Sequence, residues 1–260
     1  MLDYTVEDGV ARIVLNRPQV LNAFNDELGS MVRDRVRKDA LDSEVRCLVI
    51  TGAGRAFSAG EDLAALAAGY EAGRSPDLGQ ILTQRYNPLI KEIRAAPKPV
   101  IAGLNGVAAG AGASVALACD LRIASERASL RFPFAEVGLV PDSGATWFLA
   151  RMLGPAAAWE LAQSGRTLSS KNALELGLVH EVVTADEFET RLRAAAVELA
   201  SGPTTALALT KGLLEAATSR TLDQQLEAEA LAQAVAGSTK DHLEGVRAFL
   251  AKRAPEFRGH

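Results

Sequence analysis

Three short stretches of this 260-residue chain carry residue types that can do proton-transfer or oxyanion chemistry. "VGLVPDSGATW", residues 137–147, sets one carboxylate, Asp142, after an apolar run and before Ser143-Gly144. Asp ahead of Ser-Gly is a turn or helix-cap arrangement, here for a helix over 143–149. It is equally a way to aim one acid into a pocket, where desolvation raises its pKa into a useful range. "GAGRAFSAGEDLAAL" (52–66) and "NGVAAGAGASVALACD" (105–120) are Gly-rich turns, each closing an apolar run and opening a helical one. Such a turn presents unpaired N–H groups at the positive end of a helix. Two of them converging make a two-donor oxyanion site, and loss of one donor costs on the order of 100- to 1000-fold in rate. The competing reading of each turn is close helix–sheet packing through glycine. Other chemistries lack their residues. Neither turn has the G-x-G-x-x-G plus acidic ribose ligand of a dinucleotide site, and no P-loop or G-x-S-x-G elbow is present. His180, His242 and His260 have no partner at metal-binding spacing. Cys47 and Cys119 sit in apolar segments and read as buried thiols.

The elements that must position these residues follow from patterning. "YTVEDGVARIVLN" reads as two strands around an Asp8-Gly9 hairpin turn. A helix follows, capped by Asn22 or Asn25, with Leu28, Met31, Val32 and Val36 at helical spacing. "VRCLVITGAG" is a continuous apolar run, the pattern of a strand buried on both faces, and "KPVIAGLNGVAAGAGASVALACDLRIAS" repeats strand, turn, helix, strand. Strands alternating with helices predict an α/β fold with crossover connections. "AAGYEAGRSPDLGQ" reads as a mobile loop near a site or as a solvated connection. From about Thr167 the texture is Ala/Leu-rich and predicts an all-helical last third.

The bulk numbers bound the partners. Hydrophobic residues make up 48% and charged residues 23%, an ordinary globular balance. A net charge of −4 argues against nucleic-acid binding through a broad basic face. No apolar run approaches the roughly 20 residues of a membrane span. The opening "MLDYTVEDGVARIVLNRP" lacks a signal-peptide layout, so a cytoplasmic location is expected.

Six blocks in order resemble the crotonase (enoyl-CoA hydratase/isomerase) family: "LNRPQVLNAFN", "RCLVITGAGRAFSAGEDL", "KPVIAGLNGVAAGAGASVALACDLRIAS", "VGLVPDSGATWFLARMLG", "ALELGLVHEVV" and "EGVRAFLAKRAPEFRG". The resemblance implies a ββα spiral core over 1–195 and a C-terminal helical trimerisation region over 196–260, with homotrimers that can pair into homohexamers. It implies an acyl-CoA thioester substrate, coenzyme A entering as part of that substrate and no permanently bound cofactor. The carbonyl oxygen would be held by the backbone N–H groups of Glu61 and Ala111. Family contacts to coenzyme A carry over to Leu21, Ala23, Ser58, Ala59, Asp62 and Leu63, and to Phe249 and Lys252, which would reach it from a neighbouring subunit.

The chain departs from the hydratase pattern at both glutamates. Their positions read Ser114 and Phe134, and neither can activate water or protonate carbon near neutral pH. Glu136, two residues beyond Phe134, reads chiefly as a surface or subunit-contact acid. Asp142 matches the acid kept by family isomerases, and one carboxylate suffices to take a proton from one carbon and return it to another. The "GLVPDSG" and "GVAAGAG" segments look most like the ring-1,2-epoxyphenylacetyl-CoA isomerases of bacterial phenylacetate degradation. The expectation is therefore an acyl-CoA isomerase working through a thioester enolate, on a ring epoxide or a β,γ double bond. The alternatives are an enoyl-CoA hydratase and a non-catalytic acyl-CoA-binding member of the fold. The acyl pocket is expected to draw on residues 67–85, Phe134 and Trp147.

Overall fold

A computed structural model describes residues 1–260, every side chain except that of Ala68 included. Ten strands form two sheets. The larger, six-stranded sheet holds β1 (Leu2–Glu7), β2 (Val10–Leu15), β3 (Cys47–Gly52), β5 (Val100–Leu104), β7 (Leu121–Ser125) and β10 (Glu181–Val183), neighbours in that order. The smaller sheet orders β4 (Ala56–Ser58), β6 (Val107–Ala109), β8 (Ser129–Arg131) and β9 (Leu168–Ser169). The β1–β2 pair is an antiparallel hairpin, whose turn residues Asp8 and Gly9 both take positive φ. From β2 to β10 every pairing in the large sheet is parallel. The chain thus climbs as a spiral, one strand in each sheet and then a helical segment, which is the expected ββα core.

The central strands β3 and β5 are apolar along their length because successive side chains point to opposite faces and both faces are covered. On β3, Leu48 and Ile50 face one core cluster with Leu28, Val32 and Val36 of α1 (Asp26–Leu41) and Leu89 and Ile93 of the helix Asn87–Ala95. Cys47 and Val49 face the other way, onto Phe188, Leu192, Ala195 and Ala196 of the helix Phe188–Ala200. Both thiols are buried and free. Of the two possible caps, Asn25 holds α1: its side chain accepts the Leu28 N–H at 2.9 Å.

Several expectations are corrected. Residues 63–86 are not all loop, since only 72–77 of the expected 67–80 stretch lack helix. They form a 3-10 turn (Leu63–Leu66), α2 (Ala67–Glu71), α3 (Leu78–Ile81) capped by Asp77, and a π-helical turn (Leu82–Tyr86) leading into α4 (Asn87–Ala95). The stretch after Thr167 is not wholly helical, because β9 and β10 return to the two sheets. The 195/196 division falls inside the helix Phe188–Ala200, which packs on the large sheet. The chain leaves that sheet at Ser201–Pro203 and continues through helices Thr204–Ala217, Leu222–Gly237 and Lys240–Leu250. Among the described residues, no helix is long and apolar enough to cross a membrane, and no group of His, Cys, Asp and Glu is placed to hold a metal ion.

Candidate active site

The two Gly-rich turns sit at the ends of adjacent strands, β4 and β6, so parallel pairing brings them side by side. Gly60 has φ +92° and Gly110 φ +53° with ψ −129°, backbone conformations that L side chains rarely adopt. The contact is tight: a Cβ on Gly60 would stand 3.1 Å from the Ala111 nitrogen. Gly110 precedes α5 (Ala111–Ala118), so the Ala111 N–H is the first of that helix and lacks an acceptor in its own turn. The Glu61 N–H is likewise spare. Phe24 bridges its neighbours instead, donating to Gly60 O at 2.6 Å and accepting from Asp62 N–H at 2.9 Å. Among the described residues, neither the Glu61 nor the Ala111 N–H donates to an intrachain acceptor.

Both turns open onto a cavity of about 240 Å³. Leu78, Ile81, Leu82 and Tyr86 form one wall; Pro133, Phe134, Val137 and Leu139 form another. Phe134, at one missing-glutamate position, lies against the second turn. Asp142 lines the same cavity. Burial is the largest influence on its carboxyl and pushes the pKa up to about 6; the charge of Glu61 adds to the rise, and a hydrogen bond from Ser143 opposes it. That bond, Ser143 Oγ to Asp142 Oδ1 at 2.9 Å, is the one hydrogen bond the carboxylate accepts among the described residues.

The cap reading of Asp142 is corrected. The helix that follows, α6, runs Ala145–Leu153 with Gly144 at its N-cap and no side-chain cap. The Asp142 carbonyl, not its carboxylate, takes the Ala145 N–H, at 2.9 Å. Ser143 (φ +52°) and Gly144 (φ +82°) turn the chain sharply and leave the acid facing the cavity. Ser114, at the other missing-glutamate position, is fully buried on α5; its hydroxyl lies 3.2 Å from Gly110 O and 3.0 Å from Asp142 O. It fastens the acid's backbone to the helix carrying the second donor.

The remaining expected residues divide. Ala59 and Leu63 line the cavity. Leu21, Ala23, Ser58 and Asp62 lie behind it and wire the first turn. Leu21 O accepts from Ala59 N–H; Arg17 donates to Ala23 O and Asp62; Ser58 Oγ donates to Asn22 O. Phe249 and Lys252 sit on and just past the last helix, exposed, and do not line this cavity within one chain. Glu136 lines it, but Arg131 holds its carboxylate at 2.5 Å. Trp147 does not: α6 turns Phe148 inward and leaves Trp147 outside, stacked on Arg151. Sequence reasoning missed Arg85 and Tyr86, whose side chains both bind the Glu61 carboxylate. The available signal was the helical spacing of Leu78, Ile81 and Leu82 behind Asp77.

A ββα spiral with two spare N–H groups converging on an apolar cavity, and one desolvated carboxyl beside them, defines a class: α/β enzymes able to stabilise an oxyanion and move a proton. Sequence comparison narrows it. The family profile for Enoyl-CoA hydratase/isomerase matches residues 5–260, and the chain belongs to that family, the crotonases. It is 44% identical over 254 residues to the 1,2-epoxyphenylacetyl-CoA isomerase of Escherichia coli, covering 98% of this chain and 97% of that one. It is 40% identical over 256 residues to a protein named probable enoyl-CoA hydratase in Rhodobacter capsulatus, covering 98% and 97%. The crystal structure of an enoyl-CoA hydratase from Polaromonas superposes with a TM-score of 0.91 at 35% identity, over 98% of this chain and 99% of that one.

Proposed function

We propose that this chain is an acyl-CoA isomerase that works through a thioester enolate, with 2-(1,2-epoxy-1,2-dihydrophenyl)acetyl-CoA or a β,γ-enoyl-CoA as substrate. One observation carries the reading: Asp142, with a pKa of about 6, is the one carboxyl lining the cavity that no arginine binds, and it shares that cavity with two spare N–H groups. The resemblance adds that Ser114 and Phe134 stand where hydratases carry glutamates. The Glu61 and Ala111 N–H groups take the thioester oxygen, and their grip strengthens as negative charge develops there. Asp142 is mostly carboxylate at pH 7 and takes the α-proton. The electron pair moves into the enolate, and the same carboxyl returns the proton to another carbon. For an enoyl thioester the double bond moves from β,γ to α,β. For the ring epoxide, the bond shared by the three- and six-membered rings opens to give an oxepin. No atom is gained or lost in either case. The family's coenzyme A contacts at the first turn, and Phe249 and Lys252 from a neighbouring subunit, belong to the same reading. So do a homotrimer or homohexamer, a cytoplasmic location and a role in phenylacetate catabolism. Leu214, Leu222, Leu231 and Leu250 on the C-terminal helices are exposed apolar side chains that suit subunit contact.

Asp142→Asn tests it. Turnover of the ring-epoxide and β,γ-enoyl thioesters is expected to fall about 1000-fold with substrate binding retained. A retained isomerase rate in a folded variant would sink the proposal, and rapid loss of the conjugated enoyl absorbance of crotonyl-CoA on mixing with the parent would favour a hydratase. The same variant reads the acid's environment. The folded-state pKa of Asp142 is raised, so the native state binds more protons than the unfolded one between about pH 4 and 6. Its contribution is therefore most favourable below about pH 4 and is lost as pH rises through about 6. A shift of about two units is worth up to about 3 kcal/mol, so Asp142→Asn should be the more stable protein at pH 7 by ~1–3 kcal/mol, with the gap closing toward pH 4.

A further inference from the structure

Besides Asp142 and the Arg131-bound Glu136, the cavity holds a third carboxylate that acid–base chemistry does not use. Glu61 lines it with its side chain largely buried, 18% exposed. Arg85 Nη1 reaches both its oxygens, at 2.7 and 2.6 Å, and the Tyr86 hydroxyl donates to Oε2 at 2.6 Å. Arg85 is itself buried and is held from the far side by Asp26, whose Oδ1 accepts from Nε at 3.0 Å and from Nη2. Two features of the chain serve this arrangement. Arg85 and Tyr86 are consecutive residues of the π-helical turn, a local widening that sends both side chains to one acceptor. Gly29 of α1 leaves room for the arginine stem, since a Cβ there would stand 2.6 Å from Arg85 Cγ.

With both oxygens occupied, Glu61 is a poor proton carrier but a well-held negative charge. It also supplies, through its own backbone, one of the two spare N–H groups. We propose that the Arg85–Tyr86 clamp makes Glu61 a positioning residue: its bound side chain fixes the direction of its own N–H and holds a negative charge in the cavity that Asp142 also lines. The proposal rests on the isomerase reading for the use made of Asp142, but the clamp itself is independent of substrate. The charge of Glu61 raises the Asp142 pKa; a cation paired with Glu61, as Arg85 is, opposes that charge by Coulomb's law. The other charged groups near the cavity pair among themselves: Arg131 with Glu136 across it, and Arg17 with Asp62 behind the first turn. The Tyr86 hydroxyl, pushed far up by burial and by Glu61, remains a neutral donor.

The signature is a pair of opposite shifts. Carbon-13 NMR of labelled aspartate carboxyls titrates Asp142 directly, with its resonance assigned by its disappearance in Asp142→Asn. The parent midpoint is expected near 6. Glu61→Gln removes a like charge and should lower the midpoint; Arg85→Met removes the tempering cation and should raise it. The acid limb of kcat/KM should move in the same two directions. Arg85→Met should also lower kcat about tenfold with little change in KM, because a loosened donor is felt in the transition state, and Arg85→Lys should recover part of that loss. Midpoints equal to the parent's in both variants, or moving the same way, would overturn the proposal. If Arg85→Met loses its cooperative melting transition, Glu61→Gln and Arg85→Lys decide the matter: the first must lower the midpoint and the second must leave it nearer the parent's. Isomerase activity surviving Asp142→Asn would remove the assigned use of Asp142, yet the NMR midpoints would still report the clamp.

Discussion

The two turns each present one spare N–H at the cavity, and each is held by different physics. The first, Ala59 to Asp62, precedes a 3-10 turn and the short helix α2, and is held by polar links: Phe24 on both sides of Glu61, Arg17 on Asp62, Arg85 and Tyr86 on Glu61. The second, Gly110 to Gly112, enters a helix whose eight residues, "AGASVALA", are all buried and include no ionisable side chain. One donor is wired and the other is packed. A wired donor should respond to charge edits and leave the packing intact; a packed donor should respond to volume and ignore charge.

The largest effect that would test this contrast lies where the turns touch. A Cβ on Gly112 would stand 2.5 Å from Ser58 O and 2.7 Å from Ser58 Cβ, and both residues are fully enclosed. Gly112→Ala should therefore cost about 3 kcal/mol and lower Tm by roughly 6–12 °C, and the surviving fold should turn over slowly because the donors are pushed apart. An unchanged melting curve would mean the second turn is not held by packing. Asp62→Ala probes the wired turn. It strips Arg17 of its partner at 2.9 Å and uncaps the turn that follows. Arg17 keeps its bond to Ala23 O, so the expected cost is about 2 kcal/mol in urea denaturation, with kcat down about tenfold through the displaced Glu61 N–H. Equal responses of both turns to a charge edit would dissolve the distinction.

The same contrast separates what was legible in the sequence from what was not. Packed features announce themselves in one dimension. The apolar runs of β3 and β5, the Asp8-Gly9 hairpin and the Gly110-Ala111-Gly112 turn are contiguous, and each lies where patterning predicts. Phe134 as a cavity wall was legible only through the resemblance, which sets it at a glutamate position of the hydratases. Wired features join residues far apart in the chain. Arg85 meets Glu61 across 24 positions and Asp26 across 59, so no local pattern foretells either contact. The Gly/Ala/Pro texture of 67–80 reads as loop because the helix-forming signals there are short, and tertiary contact with the cavity decides the outcome. Asp142 was ambiguous for a related reason. An acid before Ser-Gly can cap a helix that starts at the next residue, but Ser143 and Gly144 both take positive φ and delay the helix to Ala145, which only the backbone reveals. Trp147 and Phe148 are adjacent aromatics, and which one turns inward depends on the rotation of α6 about its axis, which the late start at Ala145 fixes.

The smallest expected effect lies at the one polar link between the packed donor and the acid. Ser114 touches only main-chain oxygens, Gly110 O and Asp142 O, and not the Asp142 carboxylate. Removing its hydroxyl leaves a buried carbonyl without that partner, a loss of about 1 kcal/mol. α5 should stay in place because its seven other buried residues hold it, so the Ala111 N–H is little disturbed. The segment bearing Asp142 loses one fastening, and kcat for Ser114→Ala should fall by less than about tenfold. The carboxylate's own surroundings are unchanged, so the acid limb of kcat/KM should remain near pH 6. A kcat loss as deep as that of Asp142→Asn, or a displaced acid limb, would make Ser114 a participant in proton transfer, and the second turn would then no longer stand as a donor held by packing alone.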